Sequence, residues 1–340
     1  MSTQDPNNSL PFRDEVNKPT PANAGPPASE VDPAVEKDEE EPEGWDTPEA
    51  WKLLLKAISK KRCTPFLGAG ASAGVLPVGK ELAQSLADEF QYPFPDSTNL
   101  PRVAQYVGLI HGAQMPKYKI EEEFANKCPD DSNPDEPHRV LAELELPIYI
   151  TTNYDSFMVD ALKARGKHPR QEICQWHVVK VDKDSRNTVV PTEIPTSDEP
   201  VVYHLHGSLT DLNSMVVTED DYLNFLMTIS ELNVIPSYIE RAFAPDRVFL
   251  FIGYSLEDMN FKVLFRKLGQ RVASTAGDCH IAVQLHAVKG LTADERRRQR
   301  EFLQKLFQTQ KVRVYWGKAS TFFRRLREQR GEPKPSTATE

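Results

Sequence analysis

The chain has 340 residues, of which 39% are hydrophobic, 27% charged and 9% aromatic. This composition excludes a fibrous or wholly disordered protein and predicts one large folded domain or two modest ones. The net charge of −9 lies almost entirely in residues 1–44, which hold 11 acidic residues against three basic ones and eight of the 27 prolines. We expect this tail to be disordered. Residues 45–340 carry a net charge of only −1, so a globally basic nucleic-acid binder is excluded and direct nucleic-acid binding is not expected.

The sequence has neither a run of about 18 apolar residues nor an apolar N-terminal stretch typical of a signal peptide. We therefore expect a cytoplasmic protein that does not contact membranes. The four cysteines stand far apart and form no CxxC pair, which argues against a disulfide framework and against a zinc site. They are predicted to be reduced core residues, and no metal is expected: Cys63, Cys128, Cys174 and Cys279.

The folded part begins at Thr47, where a capping hydroxyl precedes a proline and an amphipathic helix. Six short apolar runs follow, most of them separated by stretches with helical spacing of apolar residues. They cover residues 63–67, 148–151, 201–205, 248–252, 281–285 and 312–316. Strands interleaved with helices predict a doubly wound, Rossmann-like α/β domain with a parallel sheet of about six strands. Residues 108–136 predict a helical insertion, and residues 180–199 an exposed loop.

Residues 291–330 contain 12 basic residues against four acidic ones, a net charge opposite to that of the N-terminal tail. One interpretation is a pair of solvated helix faces, because each helix also has an apolar side. The residues assigned to those apolar sides are Phe302, Leu306, Phe307, Phe322 and Leu326. The other interpretation is a docking face for an acidic partner, for the tail of a neighbouring subunit or for a nucleic-acid backbone.

Ligands of open parallel sheets bind beyond the carboxyl ends of the strands, so the residues that follow each strand are the first candidates. After the first strand, the segment 68–72 (GAGAS) is small enough for its backbone N–H groups to approach a dinucleotide pyrophosphate. Its spacing, GxGxxxG, is not that of the usual fingerprint, and small residues also allow a helix to pack tightly on a strand. The later segment 74–80 imitates a P-loop, but Glu81 stands where magnesium requires a hydroxyl, which argues against kinase or ATPase chemistry.

Two further strands end in polar residues. Asn153 and Asp155 follow the second strand and are able to face the same crevice, although Asp155 is equally suited to cap the next helix. His206 lies at the tip of the third strand beside a glycine, where we expect it to be exposed enough to titrate and to act as a base near neutral pH. His204 is interpreted as a core histidine. The fourth strand ends in a glycine and a hydroxyl, at Gly253 and Ser255.

Four of these segments, in this order, resemble the sirtuin-like NAD-binding family, whose elements run approximately GAGxS, TQNxD, LHG and GTS. The segments are FLGAGAS, ITTNYD, HLHGS and FIGYS, and the resemblance covers about residues 62–265. It implies that Asn153 and His206 are catalytic, with His206 as the base. It also implies a set of residues that bind NAD: Gly68, Ala69, Gly70, Ser72, Asp155, Gly253 and Ser255.

The chain departs from the sirtuin deacylases, which carry a GIPDFR-like segment and a four-cysteine zinc module. It is more similar to a prokaryotic antiviral-defence branch whose members cleave NAD, often beside a sensor such as a HerA-type ring ATPase or an Argonaute. We therefore predict a sirtuin-like catalytic domain over residues 45–330, flanked by disordered residues 1–44 and 331–340. Its predicted function is NAD hydrolysis to nicotinamide and ADP-ribose, gated by homo-oligomerisation or by a sensor partner. An NAD-dependent protein deacylase and a non-catalytic sensor of NAD or ADP-ribose remain alternatives.

Overall fold

The structure, a computed structural model, describes residues 45, 47–130, 132–178, 193–231, 234–244, 246–254, 280–284, 292–309 and 311–331. Every described residue lies within residues 41–340, one of the two units into which the chain divides. The predicted disordered tail therefore lies outside the described residues. So do most of the predicted loop at 180–199 and nearly all of the C-terminal residues 331–340.

The centre of the fold is a seven-stranded sheet in which every pairing is parallel. The strands are β1 (Cys63–Leu67), β2 (Ile148–Thr151), β3 (Arg170–Ile173), β4 (Val201–His204), β5 (Val248–Ile252), β6 (His280–Gln284) and β7 (Val312–Trp316). All six predicted strands are present, and the α/β fold class is confirmed. The seventh, β3, has the polar sequence RQEI and lies at the sheet edge, so it lacks the apolar run by which the others are predicted.

The strand order is β3-β4-β2-β1-β5-β6-β7. Without the edge strand β3 this is the Rossmann order, in which the chain first proceeds outward from β1 on one side and then crosses to the other. The crossing places β5 directly beside β1, with Leu67 opposite Ile252. On its other side β1 pairs with β2, with Leu67 opposite Thr151. The carboxyl ends of β2, β1 and β5 are therefore neighbours at the point where the strand order reverses.

Ten α-helices lie within the described ranges. They are α1 (Pro48–Ser59), α2 (Gly79–Glu89), α3 (Leu100–His111), α4 (Met115–Phe124), α5 (Pro137–Ala142), α6 (Phe157–Ala164), α7 (Glu219–Glu231), α8 (Ser237–Glu240), α9 (Ala293–Gln308) and α10 (Ala319–Gln329). The first begins as predicted, because the Thr47 hydroxyl accepts a hydrogen bond from the Ala50 N–H at 3.2 Å. Lys80 lies in the first turn of α2, as expected for a helix start rather than a P-loop lysine.

The helical insertion between the first two strands is larger than predicted. It includes α3, which begins at Leu100, eight residues before the predicted boundary at Gly108. The sequence at this point has an asparagine cap, because the Asn99 side chain accepts from the Arg102 N–H at 3.3 Å. The prediction relied on the charged helix α4 and overlooked this cap. The two helices stand beside α2 and α7, and they form one wall of the cavity described below.

Both faces of the sheet are covered by apolar side chains, as a parallel sheet requires. One face carries an aromatic cluster that includes Phe66, Tyr203, Phe249 and Phe251. The other carries a second cluster beneath α1 and α10, in which Trp45, Trp51, Tyr149, Tyr315 and Phe322 are buried. Every residue of β1, β2, β4 and β5 is buried, so the strand ends at the cavity rest on a closely packed base.

Two smaller predictions are wrong. Phe302 is 63% exposed, and the apolar side of α9 consists instead of Leu303, Leu306 and Phe307. Cys128 is also exposed, whereas Cys63 and Cys174 are buried as predicted and Cys279 lies outside the described residues. Among the described helices, none is both long and apolar enough to cross a membrane.

Candidate active site

A cavity of about 650 Å³ lies at the carboxyl ends of β1, β2 and β5, where the strand order reverses. Its volume is in the range typical of small-molecule sites. Seven of the nine predicted site residues line it: Ala69, Gly70, Ser72, Asn153, Asp155, His206 and Gly253. Gly68 lies directly behind it, and Ser255 is outside the described residues. The fold thus brings together residues that are up to 184 positions apart in the sequence.

The glycines at the ends of β1 and β5 allow two backbones to approach each other closely. A Cβ atom on Gly70 would lie 2.7 Å from the Cα of Gly253, and one on Gly68 would lie 2.7 Å from the Gly253 carbonyl oxygen. Gly253 itself has a φ of +64°, and a Cβ there would lie 2.0 Å from the Ala71 nitrogen. These three positions therefore require glycine for packing alone, whichever ligand the cavity holds.

Several N–H groups of the glycine segment bind protein oxygens. The Gly68 N–H donates to Ile252 O at 2.9 Å, and the Gly70 N–H donates to Gly253 O at 2.8 Å. Those of Ala71 and Ser72 complete a 3₁₀ turn, donating to Gly68 O and to Ala69 O. Contact between this segment and a pyrophosphate stays a prediction. In this conformation the four N–H groups hold the turn in place.

Asn153, Ser72 and Asp155 form a hydrogen-bonded chain along the cavity wall. The Asn153 amide nitrogen donates to Gly68 O at 3.1 Å and lies 3.4 Å from the Ser72 hydroxyl oxygen. The Ser72 hydroxyl donates to the Asp155 carboxylate at 3.2 Å. All three side chains are at most 8% exposed. In this hydrogen-bonded arrangement the Asn153 amide oxygen has no partner among the described residues. That oxygen is an acceptor suited to water or a sugar hydroxyl.

Asp155 both faces the cavity and caps the start of α6, the two alternatives that the sequence leaves open. One carboxylate oxygen accepts from the Phe157 N–H at 3.0 Å and so forms an Asx turn at the start of α6. The other oxygen accepts from Ser72 on the cavity wall. A carboxylate has enough lone pairs for both bonds and for a further ligand hydroxyl.

His206 is buried between two aromatic rings of α7. Its ring centroid lies 5.5 Å from that of Tyr222 and 5.0 Å from that of Phe225, and both contacts are edge-to-face. The prediction that this histidine is exposed enough to titrate near neutral pH is wrong. The side chain is 5% exposed because α7 covers it, and burial lowers its pKa from 6.5 to about 4. At neutral pH the imidazole is therefore uncharged and carries a lone pair, which is the form that a base requires.

His204 is a core histidine, as predicted. It is completely buried, its Nδ1 lies 3.2 Å from Asn153 O, and its Nε2 lies 3.3 Å from the Gln171 amide nitrogen. Burial lowers its pKa. Among the described residues, no cluster of three or more histidine, cysteine or acidic side chains is arranged to hold a metal.

Sequence reasoning missed the wall of the cavity opposite the strands. This wall consists of the segment before α2 and of the helical insertion, and it includes Leu76, Pro77, Val78, Asn99, Leu100, Pro101 and Phe124. Leu76, Pro77 and Val78 lie in the segment 74–80 that the sequence analysis singled out only as an imitation of a P-loop, and Lys80 of that segment also lines the cavity. The residues from the helical insertion belong to no recognisable motif. Tyr222 was also missed, although its place directly after the three acidic residues that begin α7 marks the first turn of a helix.

A match to a known family covers just under half of the chain. Residues 147–315 match the family described as SIR2-like domain. Three of the four motifs lie in this range, and FLGAGAS precedes it. The match confirms the predicted sirtuin-like family over this range, which includes strands β2 to β6 of the Rossmann-type sheet.

Three relatives carry the same name, NAD(+) hydrolase ThsA. The protein from Cytobacillus dafuensis is 29% identical over 220 residues, which are 64% of this chain and 40% of that protein. The protein from Acinetobacter baumannii (strain 532279) is 26% identical over 224 residues, which are 63% of this chain and 41% of that protein. The protein from Enterococcus faecium is 27% identical over 224 residues, which are 62% of this chain and 41% of that protein. The chain therefore spans about two fifths of the length of these curated relatives.

Proposed function

We propose that this protein is an NAD glycohydrolase, which cleaves NAD to nicotinamide and ADP-ribose. The observation that carries the proposal is the convergence of Asn153, Asp155 and His206 on one cavity at the switch point of a Rossmann sheet. Dinucleotides bind at this position in sheets of this type. The relatives named NAD(+) hydrolase support the choice of substrate and reaction.

Hydrolysis breaks the bond between the nicotinamide nitrogen and C1′ of the ribose and forms a bond from C1′ to a water oxygen. Nicotinamide leaves as a neutral molecule, and the water loses one proton. The ribose develops positive charge as the bond breaks, so groups that hold water near C1′ and stabilise this charge accelerate the step. In our proposal the free amide oxygen of Asn153 positions that water or a ribose hydroxyl, and the Asp155 carboxylate orients the nicotinamide side.

His206 is the proposed base, which accepts the proton from the water or from a ribose hydroxyl. With a pKa of about 4 it is neutral before substrate binds. The aromatic contacts to Tyr222 and Phe225 hold the ring in a fixed orientation during this transfer.

The proposal extends to biological role, because unrestricted NAD hydrolysis depletes a cofactor on which the cell depends. We propose a cytoplasmic effector of antiviral defence that is activated by homo-oligomerisation or by a sensor such as a HerA-type ring ATPase. The opposite charges of residues 1–44 and 291–330 are the proposed contacts between subunits or with a partner. Exposed charge is screened over about 10 Å at 0.1 M salt, so the assembly should shrink in light scattering as salt rises.

The test is incubation of the purified full chain with NAD, with chromatographic separation of the products. We expect nicotinamide and ADP-ribose in equal amounts from the wild type and none from an Asn153→Ala variant. Consumption of NAD only when an acetylated peptide is present would identify a deacylase. Binding of NAD in calorimetry without any product, at low salt, over a range of protein concentrations and with candidate sensor partners added, would identify a sensor and overturn the proposal.

A further inference from the structure

His204 lies behind the cavity wall, and it connects the end of β4 to the loop that carries Asn153. Its Nδ1 is 3.2 Å from the backbone carbonyl oxygen of Asn153. Its side chain has no exposure to solvent. Asn153 is thus held on two sides, because its side-chain amide also donates to Gly68 O at 3.1 Å. Without His204 the carbonyl group would lose the contact that fixes the direction of this peptide unit.

The contacts of His204 favour the tautomer with the proton on Nδ1. A carbonyl oxygen only accepts hydrogen bonds, and Nδ1 lies 3.2 Å from Asn153 O, so this contact assigns Nδ1 as the donor. Nε2 then has a lone pair and accepts from the Gln171 amide nitrogen at 3.3 Å. The Gly207 backbone is a further hydrogen-bond partner of the ring. Burial lowers the pKa of His204 and so favours the neutral ring.

Gln171 connects this arrangement to the edge strand β3. The same amide nitrogen donates to the Ser208 hydroxyl at 3.0 Å, and that hydroxyl lies 3.4 Å from the backbone carbonyl oxygen of Tyr154. The carbonyl groups of two successive residues, Asn153 and Tyr154, are therefore both held from β3 and β4. Gln171 is one of the polar residues because of which β3 lacks an apolar run, and it contacts both His204 and Ser208.

We propose that His204 is a positioning residue, whose Nδ1–H fixes the loop containing Asn153 so that the Asn153 amide faces the reacting ribose. The inference rests on the proposed NAD hydrolysis for its effect on turnover, but not for its effect on the loop. His204 is not among the residues that line the cavity, so its proposed effect is exerted through Asn153. Displacement of a catalytic group by about 1 Å typically costs about 100-fold in rate.

Three variants at this position separate the hydrogen bond from mere packing. The amide nitrogen of His204→Asn occupies the place of Nδ1, whereas that of His204→Gln occupies the place of Nε2, and His204→Leu retains neither donor. We expect kcat to fall about 100-fold in His204→Leu and His204→Gln with KM within threefold of wild type, and to recover at least tenfold in His204→Asn. Gln171→Leu should also lower kcat. Because Gln171 lies on the edge strand, this variant keeps the inference testable if the His204 variants in the core fail to fold.

Hydrogen–deuterium exchange of the peptide covering residues 148–158 provides a readout that does not depend on activity. Exchange of the loop at residues 152–155 should be faster in His204→Leu, His204→Gln and Gln171→Leu than in wild type, and should return toward wild type in His204→Asn. Unchanged exchange in Gln171→Leu and in every folded His204 variant, or equal rescue by Asn and Gln, would overturn the inference. If exchange of the loop becomes faster in the variants but the wild-type protein consumes no NAD, the proposed function is refuted and the positioning role stands.

Discussion

The side-chain amide of Asn153 donates a hydrogen bond of 3.1 Å to the backbone carbonyl of Gly68, 85 residues earlier in the chain. This bond joins the end of β2 to the end of β1. On the opposite side, the Gly70 N–H donates to Gly253 O at 2.8 Å and joins the end of β1 to that of β5. The glycine segment is thus fixed from both neighbouring strands, and Asn153 stabilises the same cavity in which we propose that it acts.

Removal of either proposed catalytic side chain should abolish NAD turnover without unfolding the protein. His206→Phe retains the aromatic packing against Tyr222 and Phe225 but removes the base, which typically costs 100-fold to 10,000-fold in rate. We expect a loss of the same order for Asn153→Ala. Initial rates by chromatography, with circular dichroism as the control for folding, check this. Full activity in either variant contradicts the mechanism.

The pH dependence of kcat/KM should lack a histidine limb near neutrality. This parameter reports the free enzyme, in which burial lowers the pKa of His206 from 6.5 to about 4. The base is active when neutral, so activity is present above this value and is lost as the pH falls through about 4. The value of kcat/KM should therefore not change between pH 6 and pH 8. An acid limb centred near pH 6.5 would show that His206 is solvated or is not the base.

Gly253→Ala should be far more destabilising than Gly74→Ala, although both residues have positive φ. A Cβ at Gly253 would lie 2.0 Å from the Ala71 nitrogen, whereas at Gly74 nothing lies within 4 Å. We expect about 1 kcal/mol for Gly74→Ala, from backbone strain alone, and several times more for Gly253→Ala. Urea unfolding measures both. Similar values would show that the two backbones are free to separate.

The boundary between tail and domain should lie just before Trp45. Deletion of residues 1–40 removes a segment with little to bury, so the melting temperature should not change. Trp45 is 1% exposed and packs on Trp51 and Phe322, with ring centroids at 4.8 Å and 5.8 Å. Trp45→Ala should therefore cost about 3 to 5 kcal/mol in the free energy of unfolding. A drop of several degrees on deletion of residues 1–40 would show that the tail docks.

The protein should lose stability as the pH falls from about 6.5 toward 4. Burial lowers the pKa of His280 to about 4, so below 6.5 the unfolded chain binds a proton that the folded chain excludes. The neutral ring accepts a hydrogen bond from the Phe249 N–H at 3.2 Å. An asparagine oxygen can accept the same bond without titrating. His280→Asn should therefore reduce the loss in unfolding free energy between pH 7.5 and pH 5 by about 2 kcal/mol, and an unchanged loss would exclude this contribution.

The sequence by itself determined the fold class and the residues at the strand ends that line one side of the cavity. Strands buried on both faces, such as β1 and β5, require continuous apolar runs, and these runs predict them directly. The carboxyl ends of parallel strands meet at one edge, which is why Asn153, His206 and Gly253 could be placed near one another from sequence alone.

Only the tertiary structure decided how these residues act on one another. The edge strand β3 has no apolar run, so neither it nor the support that Gln171 gives to His204 follows from local pattern. The position of Phe124 in the cavity wall depends on how α4 packs, and helix packing is a long-range property. The lowered pKa of His206 likewise results from burial under α7. Phe225 of α7 follows His206 in the sequence, but only folding brings it against the imidazole ring.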